Sequence, residues 1–159
     1  MITPNEYVKA IEDLLKAAFP GEPVYPELVP QDFDRPSNEV ECVGFSADAQ
    51  ISADAIDTEV KMIIRTFVTV DAYHNSQFSA LYRRAMVILG LCAGGFIYVS
   101  DPDTGARRAP KMSAAGVPVT GKDFAEIHVT FRLQLARADV FPPETLPVME
   151  HLHMEMMAN

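Results

Sequence analysis

The residues of this 159-residue chain that could carry out chemistry are few and scattered. His151 and His153, flanked by Glu150 and Glu155, form its one histidine cluster. Metal ligands on a helix need a spacing of three or four positions, as in the His-Glu-x-x-His zinc pattern. Two residues apart, His151 and His153 would splay on a helix and share a face only on a strand. The cluster reads as a solvated tail, and its lesser reading is the metal site of a hydrolase. His74 and His128 stand alone, and a lone histidine on a strand reads as surface or hydrogen-bonded. No Gly-x-Ser-x-Gly elbow, P-loop or Gly-x-Gly-x-x-Gly is present. Ala93-Gly94-Gly95-Phe96 turns from a helix into a strand, the reverse of the order a phosphate loop requires. Cys42 and Cys92 are fifty positions apart, without a Cys-x-x-Cys pair, and read as reduced, mostly buried thiols.

The charges say more. Acidic residues number 22 and basic residues 13, for a net charge of −9. Such a chain is poorly suited to wrapping nucleic acid or anionic lipid, because phosphate contacts need clustered Lys and Arg. Glu39, Glu41, Asp48, Asp54, Asp57 and Glu59 fall in a stretch from Pro36 to Val60 with no basic residue. Three readings stay open. The stretch could be a cation or acid–base site. It could be a solvated acidic loop, with Asp48, Asp54 and Asp57 at its centre. It could also line a lumen through which DNA passes without sticking, since acidic walls repel phosphate. Arg83-Arg84 and Arg107-Arg108 lack interleaved aromatics and read as solvated faces or subunit salt bridges. No cofactor and no metal are expected.

The elements that would position these residues follow from periodicity. Thr3-Pro4-Asn5-Glu6 is a helix start with a capping box. Tyr7, Val8, Ile11, Leu14, Leu15, Ala18 and Phe19 then recur at helical spacing until Pro20-Gly21 stops the helix. Pro23-Val24-Tyr25 is extended, and its neighbouring prolines suit an edge. Pro30 to Ser37 reads as loop, Asn38 to Phe45 as strand, and Ser46 to Ile56 as a loop or hairpin tip. Thr58 to Tyr73 alternates as one long strand. A second helix is capped by Asn75-Ser76, with Phe78, Leu81, Tyr82, Ala85, Ile88 and Leu89 as its apolar face. Phe96 to Val99 is a strand, and Asp101-Pro102-Asp103-Thr104-Gly105 a turn that returns through Arg107. Met112 to Lys122 reads as loop. Phe124 to Ala138 is the clearest strand, with Ile127, Val129, Phe131, Leu133 and Leu135 on one side and a polar face on the other. Pro147 to Met157 reads as a short helix rich in Met, a residue that packs adaptably on a partner.

Helices and strands each with a single apolar face imply an α+β fold, with two helices packed on one face of a mainly antiparallel sheet. Residues 1–140 form the expected domain and 141–159 an extension. The strands exceed the usual ~5–6 residues, so they are expected to project and pair with something else. No leader peptide is legible at the N-terminus, and the longest apolar stretch, Ala85 to Val99, is cut by glycines and falls short of the ~20 residues of a membrane span. A reducing cytoplasm is the expected place of folding.

Several of these pieces occur together and in order: an N-terminal amphipathic helix ending in Phe19-Pro20-Gly21, then Pro23-Val24-Tyr25, then Val29-Pro30-Gln31-Asp32-Phe33-Asp34-Arg35-Pro36-Ser37. Arg65-Thr66-Phe67-Val68-Thr69-Val70-Asp71-Ala72-Tyr73 follows on a long strand, before a helix, a hairpin and a final alternating strand. Over roughly residues 2–138 this succession resembles the tail-terminator (minor tail) proteins of long-tailed bacteriophages and prophages. The resemblance implies a virion protein that assembles as a ring, usually a homohexamer. The ring caps the finished tail tube, stops its polymerisation and meets the head-side connector or neck. Its partners would be its own copies, the tail tube protein and the connector, with DNA only passing through and no membrane involved. Its place would be the head-proximal end of the tail, reached from the host cytoplasm during assembly. The family offers no catalytic residues, so no enzyme is expected. Arg107, Arg108 and Lys111 are the expected subunit-interface residues, facing acidic groups of a neighbour. The stretch from Ser100 to Lys122 and the extension from Phe141 to Asn159 depart from the family pattern. Another head–tail joining protein (tail-completion, head-closure or tube) is the alternative, and a metal-dependent hydrolase a remote one.

Overall fold

Local chemistry sets the first helix, α1 (Pro4–Ala18). Pro4 takes the first helical position, where its missing N–H costs nothing. The Glu6 carboxylate accepts hydrogen bonds from the Thr3 N–H and hydroxyl, both at 2.6 Å. Tyr7, Val8, Ile11 and Leu15 form the buried stripe. The helix ends where the Phe19 N–H reaches back to the Leu15 carbonyl at 2.8 Å and Gly21 adopts a φ of 78°, a left-handed conformation that favours glycine.

The computed structural model describes residues 1–49, 54–94, 97–119 and 123–140. After α1 come β1 (Val24–Pro26), β2 (Ser37–Ala49), β3 (Ala55–Phe67), α2 (Phe78–Gly94), β4 (Val99–Ser100), β5 (Arg107–Arg108), β6 (Lys111–Val117), β7 (Ala125–Ala136) and a single turn, α3 (Arg137–Val140). Five strands form one sheet in the order β1-β2-β3-β7-β6, antiparallel throughout except that β1 runs parallel to β2. β4 and β5 make a separate two-stranded hairpin. The fold is α+β, as the pattern of one-sided elements requires.

Both helices lie on one face of the sheet. α1 covers its β1–β2 side and α2 its β7–β6 side. Their stripes meet Val40, Val60, Met62, Ile64, Ile127, Val129 and Phe131 in a single core. Tyr7 packs on Phe131 with ring centroids 5.2 Å apart. Each fully buried Leu, Ile or Phe here contributes about 1.5–3 kcal/mol. Leu81, Ala85, Ile88 and Cys92 make the buried stripe of α2, while Phe78 and Tyr82, expected on that stripe, are exposed.

Other departures from the sequence reading have physical causes. Val68 to Tyr73 alternates like a strand but leaves the sheet after Phe67, because Asp71 Oδ1 accepts the N–H groups of Tyr73 and Asn75 at 2.8 and 2.9 Å and closes a turn. Met112 to Val117 is strand, not loop. Its small residues belong to packing: a Cβ on Gly116 would stand 3.4 Å from Leu89 Cδ1, so α2 lies close on β6. The stretch read as an acidic loop is largely strand too, with β2 continuing to Ala49 and β3 beginning at Ala55. The first strand of the small hairpin is Val99–Ser100, shorter than expected. The reading of residues 147–157 as a helix, and the cluster of His151 and His153, lie outside the described residues.

One charged side chain ties the covered face together. Arg84 of α2 donates to Thr66 Oγ1 on β3, to Asn38 Oδ1 on β2 at 3.3 Å, and with both terminal nitrogens to the Glu22 carboxylate beyond α1. Its guanidinium also lies 4.1 Å from the centroid of the Phe19 ring. Asn38 and Thr66 are completely buried. The sequence reading puts Arg84 on a solvated face or in a subunit salt bridge; in the fold it is held inside the subunit, and its neighbour Arg83 is the exposed one. Removing one partner of this partly buried ion pair leaves the other's charge and the buried Asn38 and Thr66 without their partner. Arg84→Ala is therefore expected to cost about 2 kcal/mol in a denaturant melt, whereas Arg83→Ala should stay within about 0.5 kcal/mol. The thiols give a second check. Burial pushes the Cys92 thiol up to about 11, so a thiol reagent at neutral pH should modify half-buried Cys42 in the folded chain and Cys92 only after unfolding.

Candidate functional site: the open sheet face and its edges

The face of the sheet away from the helices carries charges sorted into cross-strand rows. In one row Glu39 (β2) stands opposite Arg65 (β3), and Arg65 opposite Glu126 (β7). Arg65 Nη1 donates to Glu41 at 2.7 Å and Glu39 at 3.1 Å, and its Nε to Glu126 at 3.4 Å. Phe124 flanks the guanidinium, its ring centroid 5.7 Å away. Burial lowers the pKa of Arg65 while Glu41 and Glu39 raise it, and the net shift is upward, so its charge is fixed. One cation thus meets three carboxylates, and His128 Nε2 lies 2.7 Å from Glu126 Oε1.

Further along the strands a second row runs Lys111 (β6), Arg132 (β7), Glu59 (β3), Ser46 (β2). Arg132 Nε donates to Glu59 at 2.8 Å, and Lys61 Nζ lies 3.2 Å from it. These two contacts hold the Glu59 carboxyl below its ordinary range. The next row runs Gln134, Asp57, Asp48. Gln134 donates to Asp57 at 3.1 Å. Asp48, Asp57, Glu59, Arg132 and Gln134 line a shallow cleft of about 300 Å³.

Two register pairs in these rows join like charges: Asp48 with Asp57 at the β2 side, and Lys111 with Arg132 at the β6 side. Like charges directly opposite are destabilising, by roughly 0.2–1 kcal/mol. The acidic pair depends on a bulge in β2. Cys42 pairs with Met62 and Gly44 with Lys61, so Val43 is an extra residue.

The edges of the sheet are unequal to its middle. β1 pairs with β2 only from Asn38 to Val40. From position 43 to 49 β2 has β3 on one side and, among the described residues, no strand on the other. β6 is the opposite edge, paired among the described residues with β7 alone. Exposed apolar side chains accompany both edges: Phe45, 74% exposed, on β2, and Met86, 65% exposed, on α2 above β6 and β7.

The residues singled out from sequence separate as follows. Asp48 and Asp57 come together on the strands, whereas Asp54 sits in a turn, where its carbonyl accepts the Arg137 N–H at 2.8 Å. Arg107 and Arg108 form β5, with Arg107 4.4 Å from the Tyr98 ring centroid and Arg108 3.8 Å from Asp139. Lys111 is not on that hairpin but opens β6. The Arg65 cluster was missed. Alternation placed its members on polar faces, but only register brings Glu39, Glu41 and Glu126 to one guanidinium. Among the described residues no group of three or more His, Cys, Asp or Glu is placed to hold a metal, and no helix is long and apolar enough to cross a membrane.

The proline-bounded segment before β2 is anchored at the end of the sheet. Arg35 stacks on Phe33 and Phe67, with centroid distances of 4.7 and 5.2 Å, and donates to the Val68 carbonyl, Ser76 Oγ and Asp123. Burial raises the Asp123 pKa, but the hydrogen bonds from Arg35 and Ser76 outweigh it and hold the carboxyl below its ordinary 3.8. A depressed carboxylate stabilises the fold above its unfolded value, and that contribution is lost as pH falls through the lower folded value. Thermal melts should therefore show stability declining below about pH 4, and Asp123→Asn should flatten that decline.

No protein-family model matches the chain, and no curated protein emerges as its relative.

Proposed function

We propose that this chain is the terminator of a long bacteriophage tail. It is a virion structural protein that closes into a ring, of six copies as the resemblance implies. The ring caps the tail tube, stops its polymerisation and forms the joint to the head-side connector. The observation that carries this reading is the pair of strand edges, open among the described residues, at opposite sides of one sheet. Different patches on opposite sides support head-to-tail association, which closes into a ring or runs on as a filament. A net charge of −9 suits a channel that DNA traverses without adhering. The partners in this reading are further copies of the chain, the tail tube protein and the connector or neck protein. No cofactor, catalysis or membrane enters it. The protein acts at the head-proximal end of the virion tail, having folded in the host cytoplasm.

Light scattering with negative-stain imaging tests the ring, and addition to growing tail tubes tests the cap. The expected result is a finite assembly near six times the 17.5 kDa chain that arrests tube growth. Unlimited filaments would identify a tube protein instead. Rings that leave tube growth unchecked would point to another head–tail joint.

A further inference from the structure

We propose that copies of this chain join through their sheets. Positions 43–49 of β2 in one copy lie against β6 of the next, bringing Asp48 to Lys111, with Asp57 and Arg132 one strand behind them on either side. The inference rests on the ring reading and names its interface. Three observations carry it.

The two edges match. Each is seven residues long, each is open among the described residues, and they lie on opposite sides of the same sheet. An unpaired edge is a template for another strand. The devices that blunt edges lie towards the ends of these two, the bulge at Val43 and the charges of Asp48 and Lys111, and neither stretch contains proline.

The directions match. Alternation through β2, β3, β7 and β6 leaves β2 and β6 running in opposite senses. A neighbour generated by rotation about an axis inclined to the strands brings its β2 antiparallel to β6. That is the pairing each strand already makes with its inner partner. Because Lys111 is level with Ser46 inside the subunit, a slip of two residues along the strand sets Asp48 opposite Lys111.

The charges match. An acidic pair marks one edge and a basic pair the other, both on the uncovered face, and the edge strands that carry Asp48 and Lys111 are about three strand spacings, roughly 14 Å, apart. Within the subunit Arg132 is met by Glu59 and Asp57 by Gln134, so it is the edge members, Asp48 and Lys111, that gain most when the opposite edge faces them. Arg107 and Arg108, on the separate β4–β5 hairpin, are not part of this contact.

The test uses substitutions that improve charge pairing inside the subunit. Asp48→Lys places a cation opposite Asp57, and Lys111→Glu an anion opposite Arg132, so both variants should fold with thermal midpoints at or above that of the unsubstituted chain. Each makes its two edges alike in sign and should weaken assembly about tenfold or more, read as the concentration at which the ring dissociates. Mixing the two variants should restore a ring of alternating copies, and so should both substitutions in one chain. Variants that assemble like the unsubstituted chain, or mixtures that stay apart, would overturn this interface while leaving the terminator reading intact. Restored rings that do not arrest tail tubes would do the opposite. An unsubstituted chain that remains monomeric at every concentration would overturn the interface outright.

Discussion

Arg84 brings the end of α1, the start of β2, the end of β3 and the middle of α2 to a single guanidinium. The guanidinium is largely withdrawn from water, and a charge so placed is costly to leave without its partners. The four elements must therefore arrive together. This fixes both helices against one end of the sheet and on one of its faces. Apolar burial supplies the larger part of the stability, but it is non-directional; the forked donors of the arginine supply direction.

That arrangement decides what the rest of the sheet must do. Two helices on one face leave the other to water, so it is built from charge. Arg65 with its three carboxylates, and Arg132 with Glu59, hold the middle of that face through partners within the subunit. Towards its far end the compensation thins out, and like charges stand opposite one another. The covered face thins out in the same direction. Phe45 stands largely exposed beside a groove formed by Ile2, Pro4, Tyr7 and Leu135. One end of the molecule is internally complete, and the other presents groups suited to a neighbour.

Much of this was legible in the sequence, and the exceptions share a cause. The capping box at Thr3 and Glu6, the apolar stripe of α1, the Asp101–Gly105 turn and the alternation of β7 are local patterns, and they announce their elements. β6 was not legible because Ser113, Ala114, Ala115 and Gly116 look like loop composition. Their small size answers to the proximity of α2, a tertiary fact. The end of β3 was missed because Asp71 diverts a strand-like pattern through side-chain hydrogen bonds to the backbone, a local competition that alternation does not register. The acidic stretch stands out in the sequence, but its division into a turn residue, Asp54, and a facing pair, Asp48 with Asp57, needs the register. Arg84 and Arg65 differ little in sequence from solvated arginines; burial and the partners opposite them make the difference.

The bulge at Val43 gives β2 a parity. Before it, even-numbered positions such as Val40 and Cys42 face the helices; after it, odd-numbered ones such as Phe45 and Ala47 do, opposite Val60 and Thr58. Without that extra residue the count would run on unchanged. Asp48 would turn toward the helix side opposite Ile56, Ser46 would replace an apolar side chain there, and Phe45 would emerge among the charges of the open face. A single inserted residue thus acts as a frame shift written in space rather than in codons. It exchanges inside for outside along half a strand while leaving every chain neighbour the same.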